Sequence, residues 1–243
     1  MRWDAPNRGV TWARLVTASA SVVLLVVLGL AAWWASSSET RVTSYSVRGA
    51  LDAIVLDMGN ADAEIVGGRD APVVDVRRTD RFAFAHPARA GRRVERGTLT
   101  LRSRCPATVL GSCAAAYRLT VPNNVPVTIR TDSGDVRLDG FRGSARIETL
   151  TGDVSASAYC GFALRARAED GDLSAAASCA PERLELRSRT GNIRAVVPPG
   201  RYRVDADTDT GVRTVRGLTM ADDAPFQILA LSSAGDVELE AGP

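Results

Sequence analysis

The chain has no lysine, so all thirty of its basic residues are arginine. This uniform choice reads as a coding preference rather than as a function. It has a single histidine, His86, and aromatic residues make up only 5% of it. No Gly-x-Ser-x-Gly elbow, Walker-type phosphate loop or His-Glu-x-x-His helix occurs, so the signatures of serine hydrolases, P-loop nucleotidases and zinc proteases are missing. His86 stands beside Pro87 with no Ser, Cys or metal-ligand partner marked for it. No catalytic, cofactor-binding or metal-binding residue is therefore assigned, and the chain reads as a non-enzyme without a cofactor. Excess charge is lacking too. The formal net charge is +2, and Arg2, Arg8 and Arg14 against Asp4 and Glu39 put half of it in the first forty residues. A nearly neutral remainder lacks the basic face and high net charge of a nucleic-acid binder.

What is present begins with a long apolar run. No charged residue occurs from Leu15 to Ser38, and the centre is Val22-Val23-Leu24-Leu25-Val26-Val27-Leu28-Gly29-Leu30. Crossing ~30 Å of hydrocarbon takes about 20 helical residues. Trp12 and Trp33-Trp34 bracket the run, where amphipathic rings favour the membrane interfaces, and the three arginines before it predict a cytoplasmic N-terminus. A cleaved signal peptide would have a shorter apolar core followed by small residues at the cleavage site, where bulky Trp33-Trp34 stand here. No Cys follows closely, which argues against a lipoprotein. The expected organisation is a cytoplasmic stub over 1–11, a single-pass transmembrane anchor over 12–35, a small polar linker over 36–46 and an extracytoplasmic β-repeat domain over 47–240. The stub is too short to hold an effector domain, so signalling across the membrane would need a partner within it.

Beyond the linker the hydrophobic period is two. Leu51–Asp57, Val73–Val76, Thr98–Leu101 and Tyr117–Val121 are short β-rich runs separated by Gly, Pro and Asn. No amphipathic helix of useful length follows the anchor. In the second half a unit repeats: Gly134-Asp135-Val136, Gly152-Asp153-Val154, Gly171-Asp172-Leu173, Gly191-Asn192-Ile193 and Gly235-Asp236-Val237, with Gly211-Val212 in the place of a degenerate copy. Each unit reads turn, strand, turn, strand. Two short strands cannot bury their own apolar face, so the copies must stack. The predicted fold is all-β: a β-solenoid or flattened right-handed β-helix of stacked two-strand repeats, behind one N-terminal transmembrane helix. Ala156, Ala166, Ala175 and Ala195 at inward positions suit a thin core. Gly supplies the positive φ of a tight turn, and the Asp or Asn after it is expected to bond its own backbone two residues on.

These residues resemble bacterial putative-adhesin families of unknown function (DUF4097-like), which carry Ser/Thr-Gly-Asp-Val repeats. The matching segments are Ser133-Gly134-Asp135-Val136 and Thr151-Gly152-Asp153-Val154, with Thr190-Gly191-Asn192-Ile193 as a looser copy and Tyr117–Pro122 as an entry strand. The resemblance spans Val47 to Leu239 and implies a β-helical surface domain.

Stacking would put Asp135, Asp153 and Asp172 in one row. Carboxylates ~4.8 Å apart repel by about 3 kcal/mol at an effective dielectric of ~20, so splaying into water, neighbouring arginines or a cation must relieve them. One carboxylate per turn is few for calcium, which takes 6–8 oxygens, and turn capping is the preferred role. The basic stretch 77–96 (Arg77, Arg78, Arg81, Arg89, Arg92, Arg93, Arg96) reads as a solvated flexible loop, or else as a contact for anionic envelope polymer or lipid headgroups. Cys160 and Cys179 each lie eight residues after a repeat Gly, Gly152 and Gly171. Equivalent positions one coil apart fall within disulfide range, and Cys105 and Cys113 are left to pair across a short loop with Pro106 and Gly111. The expected role is non-catalytic: the domain binds an envelope component or a protein, or serves structurally. The alternative is a solenoid enzyme acting on an envelope or extracellular polysaccharide.

Overall fold

The computed structural model describes residues 8–36, 38–68, 73–83, 86–107 and 112–242, and within its helix the side chains of 19–33. Helix α1 (Arg8–Ser36) leads into β1 (Ser38–Arg48). A first coil, β2 (Ala53–Asp57) and β3 (Ala61–Gly67), precedes β4 (Val73–Ala83) and β5 (Arg89–Glu95). The next coil is β6 (Thr98–Arg104) and β7 (Cys113–Val121). Then come β8 (Val127–Ser133) with β9 (Val136–Asp139), β10 (Ala145–Thr151) with β11 (Val154–Tyr159), and β12 (Ala163–Asp170) with β13 (Leu173–Ala177). After them come β14 (Arg183–Thr190) with β15 (Ile193–Val197) and β16 (Arg201–Thr210) with β17 (Arg213–Arg216). The short β18 (Thr219–Met220) precedes the last coil, β19 (Phe226–Ala234) with β20 (Val237–Ala241).

Each coil gives one strand to each of two ten-stranded sheets. One runs β1-β4-β7-β3-β9-β11-β13-β15-β20-β17, the other β18-β16-β19-β14-β12-β10-β8-β2-β6-β5. Coil pairs with coil in parallel, for example Val154 with Val136 and Leu173. The alternating apolar residues of both sheets share one core: Ile129, Ile147, Leu164, Leu184 and Ile228 from one face Val136, Val154, Leu173, Ile193 and Val237 from the other, all essentially inaccessible. Ala156, Ala166, Ala175 and Ala195 are inward as expected.

The stacking order is one that the repeats do not announce, and two expectations are corrected. Chain order and stacking order part at both ends. The last coil, β19–β20, lies between β14–β15 and β16–β17, and the first, β2–β3, lies between β6–β7 and β8–β9. The segment 36–46, expected as a linker, is strand from Ser38 onward, because β1 finds an edge to pair with, antiparallel to β4 from Ser38–Ala83 to Arg48–Val73. The basic stretch 77–96 is not a loop. Its first part completes β4, and its second forms β5, antiparallel to β6.

Along α1, Val22 to Leu28 and Leu30 are each more than half exposed, with no protein packed over them. Among the described residues no helix is long and apolar enough to cross a membrane. The described side chains stop at 19 and 33, short of the ~20 residues a span takes. The ends of the span expected over 12–35 lie outside them, as do residues 1–7 of the stub and Gly111 of the 105–113 loop.

Val154 is buried on the core face, whereas Arg137 is exposed on the outer face of the neighbouring strand. Val154→Asp should cost about 3–5 kcal/mol by placing an unpaired charge in the core, and Arg137→Asp within about 1 kcal/mol. Equal melting temperatures would refute the register.

Candidate functional site

The repeat residues come together in a single row at one corner of the coils. Gly134, Gly152, Gly171, Gly191, Gly235 and Gly211 all have φ between +135° and +155°. A Cβ on Gly171 would lie 2.1 Å from the carbonyl oxygen of Gly152, and one on Gly191 2.0 Å from that of Gly171. Both backbone conformation and close approach therefore demand glycine.

The Asp or Asn beside each glycine does something other than cap its own turn. Its Oδ1 accepts the backbone N–H of the equivalent residue one coil further on. Asp135 N–H donates to Asp62 at 3.0 Å, Asp153 to Asp135 at 3.2 Å, and Asp172 to Asp153 at 2.9 Å. Asn192 N–H donates to Asp172 at 2.7 Å, Asp236 to Asn192 at 2.9 Å, and Val212 to Asp236 at 2.8 Å. This ladder accounts for the inverted C-terminal order. Val212 can donate to a ladder but has no side-chain oxygen to extend it, so its coil takes the end. Each carboxylate in the row finds a donor on its neighbour, and Arg137 adds a 2.9 Å contact to Asp135. Among the described residues, no three His, Cys, Asp or Glu side chains are grouped so as to hold a metal.

A second series escaped the sequence reading. Ser or Thr recurs three residues before most of the repeat glycines, pointing inward. Ser188 Oγ donates to the Gly171 carbonyl at 2.9 Å, Ser232 Oγ to Gly191 at 2.8 Å, and Thr208 Oγ1 to Gly235 at 2.7 Å. These hydroxyls, buried on Ser188 and Ser232 and half-buried on Thr208, satisfy carbonyls of the glycine row. Their fixed spacing from each glycine was the available signal.

At the opposite corner, Cys160 and Cys179 are bridged across adjacent coils with Cα atoms 5.0 Å apart. Cys105 and Cys113 are bridged as well, at 5.8 Å. His86 is exposed ahead of β5.

The outer face of the β16-to-β5 sheet is built from aligned rows of charge. Arg130, Glu148, Arg167 and Arg187 fall in one row by strand register, Arg146, Arg165 and Glu185 in the next. Glu185 gathers Arg187 at 2.9 Å, Arg167 at 3.1 Å and Arg165 at 3.5 Å, and its side chain is only 12% exposed. Its partial burial pushes the carboxyl up, but the hydrogen bond from Arg167 and the surrounding guanidinium charges outweigh this and hold it below the usual range. Glu148 is also held low, chiefly by its hydrogen bond from Arg146 and also by that from Arg130. An open groove of about 860 Å³ crosses this face over β8, β10, β12, β14, β19 and β16. Arg130, Arg167, Arg187 and Arg189 line it together with Asp132, Glu148, Glu169, Asp207 and Asp209, and Leu150 and Leu231 supply apolar surface.

Parallel two-strand coils stacked on a Gly–Asx corner define a solenoid-like β-repeat domain. Residues 122–240 match the family model described as Toastrack DUF4097. The match is narrower than the Val47–Leu239 span of the resemblance. In three dimensions the chain is similar to a "putative cell adhesion protein" from Clostridium sporogenes, at 8% identity and a TM-score of 0.51, over 84% of this chain and 100% of that one. It also matches a "putative adhesin" from Bacteroides fragilis, at 11% identity and a TM-score of 0.43, over 83% and 97%. Identities this low show a common fold alone. No curated protein matches the sequence.

Asp153→Asn keeps the ladder acceptor and should change stability by less than about 0.5 kcal/mol, whereas Asp153→Ala should cost about 1–2 kcal/mol. Denaturant midpoints compare them, and a chelator should move neither curve. Because Glu185 titrates below its ordinary value of 4.5, its contribution is complete above that pH and is lost as pH falls through the depressed value. Glu185→Gln should therefore be less stable than the parent by about 1–2 kcal/mol at pH 7, and the gap should close in melts taken toward pH 3.

Proposed function

We propose that this chain is a single-pass membrane protein whose β domain works outside the cytoplasmic membrane as a non-catalytic binding module, recognising an envelope component or another protein through a strand face. The observation that carries the reading is the groove over β8, β10, β12, β14, β19 and β16, a rigid array of arginines and carboxylates open to solvent and crossing six coils. Strand register fixes the spacing of its charges, which suits recognition of an extended polar partner better than a pocket for a small substrate. The unpacked Val22–Leu30 surface and the preceding arginines support the anchor. Two disulfides support an oxidising compartment.

The polysaccharide-cleaving alternative is weaker at this site. It needs one carboxyl held protonated at neutral pH opposite a second carboxylate. In the groove Glu148 is shifted the other way, Asp132 is paired with Arg104 and Glu169 with Arg189.

Protease added to intact cells should digest the domain without lysis. Protection until lysis would overturn the topology. Purified full-length protein should sediment with isolated envelope material, and the charge reversals Arg130→Glu, Arg167→Glu and Arg187→Glu combined should release it. Undiminished binding by that variant would remove the groove from the proposal.

A further inference from the structure

The inward row of β4 should be apolar throughout, because its neighbours in the row face the core. It reads Val74, Val76, Arg78, Asp80, Phe82, with two charged residues at core positions. Arg92 on β5 is exposed, like the rest of that strand. It lies opposite buried Leu101 in the β5–β6 register, on the inner side of an edge strand. Charge at core-facing positions is ordinarily selected against unless it serves a purpose.

These side chains meet in a cleft of about 270 Å³ between β1 and β4 on one sheet and β5 on the other, lined by Thr43, Tyr45, Arg78, Arg92 and Tyr117. Arg78 is spent internally. Its Nε donates to buried Asp80 at 2.8 Å and its Nη2 to the Ala88 carbonyl at 2.6 Å. Its guanidinium also lies 5.8 Å from the centre of the Tyr117 ring. Arg92 stacks over Tyr45 at 4.8 Å and, among the described residues, has no carboxylate partner. A guanidinium held over a ring can still offer N–H groups to a bidentate acceptor. At the floor the buried Tyr117 hydroxyl has only the buried Ser103 side chain near it and no well-formed hydrogen bond, so it retains capacity for a ligand oxygen. The cleft thus presents one cation without a carboxylate partner, a buried hydroxyl beside Ser103 and further hydroxyls on Tyr45 and Thr43, in a volume suited to one small polar unit.

We propose that this cleft binds a phosphate or carboxylate carried on a polyol or sugar, the anion on Arg92 and a ligand hydroxyl on Tyr117. The site lies on the antiparallel strands at the β5 end and shares no residue with the groove, so either can fail without the other.

Calorimetry on the full-length chain in detergent tests it, with glycerol 3-phosphate and glucuronate as probes and glycerol and glucose as neutral controls. The anionic probes should bind and the controls should not. Arg92→Ala should weaken binding about tenfold or more, as loss of a charge-assisted pair predicts, and Arg92→Lys should restore only part of it. Tyr117→Phe should weaken binding while leaving the melting temperature unchanged or higher, since it removes a group without a well-formed hydrogen bond. A hydroxyl with a purely structural role would instead lower the melting temperature. Soluble poly(glycerol phosphate) and phosphatidylglycerol vesicles then separate the sources: Arg92-dependent binding to the first assigns an envelope polymer, to the second a lipid headgroup. Failure of both anionic probes to bind, or binding that Arg92→Ala leaves intact, overturns the proposal.

Discussion

The stack depends on one contact, the approach of each repeat glycine onto the carbonyl of the glycine before it. At that distance no side chain fits, and a neighbouring Asp or Asn oxygen is brought within reach of the next coil's N–H. Backbone pairing alone could slide by a residue, which would turn every core side chain outward. The Gly–Asx corner prevents this, because a slipped coil would bring a Cβ against a carbonyl and leave the side-chain oxygen without its donor. The thin alanine-containing core follows, since the corners set how closely the sheets approach.

Charge plays a different part on the two surfaces of the sheets. Outside, arginines and carboxylates in adjacent strands neutralise one another across the register, as around Glu185, so the face is densely charged while the net charge stays small. Inside, hydroxyls do the same work at lower desolvation expense, Ser188 and Ser232 each closing one carbonyl of the glycine row.

Much of this was legible because glycine spacing reports geometry directly. The positions of Gly134, Gly152, Gly171, Gly191 and Gly235 located the corner, and the shared offset of Cys160 and Cys179 located a bridge between adjacent coils. The partner of each Asp oxygen was not legible. Bonding to one's own turn and bonding to the next coil need the same residue at the same place, and only the separation of the coils decides between them. Nor was the inversion at the ends, because a repeat pattern records how copies resemble one another and not which of them touch. β1 was hidden for a further reason: Ser36 to Ser46 is mostly polar, with only Val42 and Tyr45 apolar or aromatic, and an edge strand needs no apolar alternation to pair. The cleft lined by Arg78 and Arg92 was concealed by its composition, since a run of arginines looks the same whether it faces water or the interior.

The inverted ends change how the molecule meets a mechanical load. In a stack built in chain order, tension on the C-terminus would peel the outermost coil away, breaking its contacts one after another along a free edge. Here the chain leaves from β20, whose neighbours are β15 on one side and β17 on the other. Tension must therefore shear two parallel ladders at once, and the coil under strain is clamped by one that precedes it in the chain.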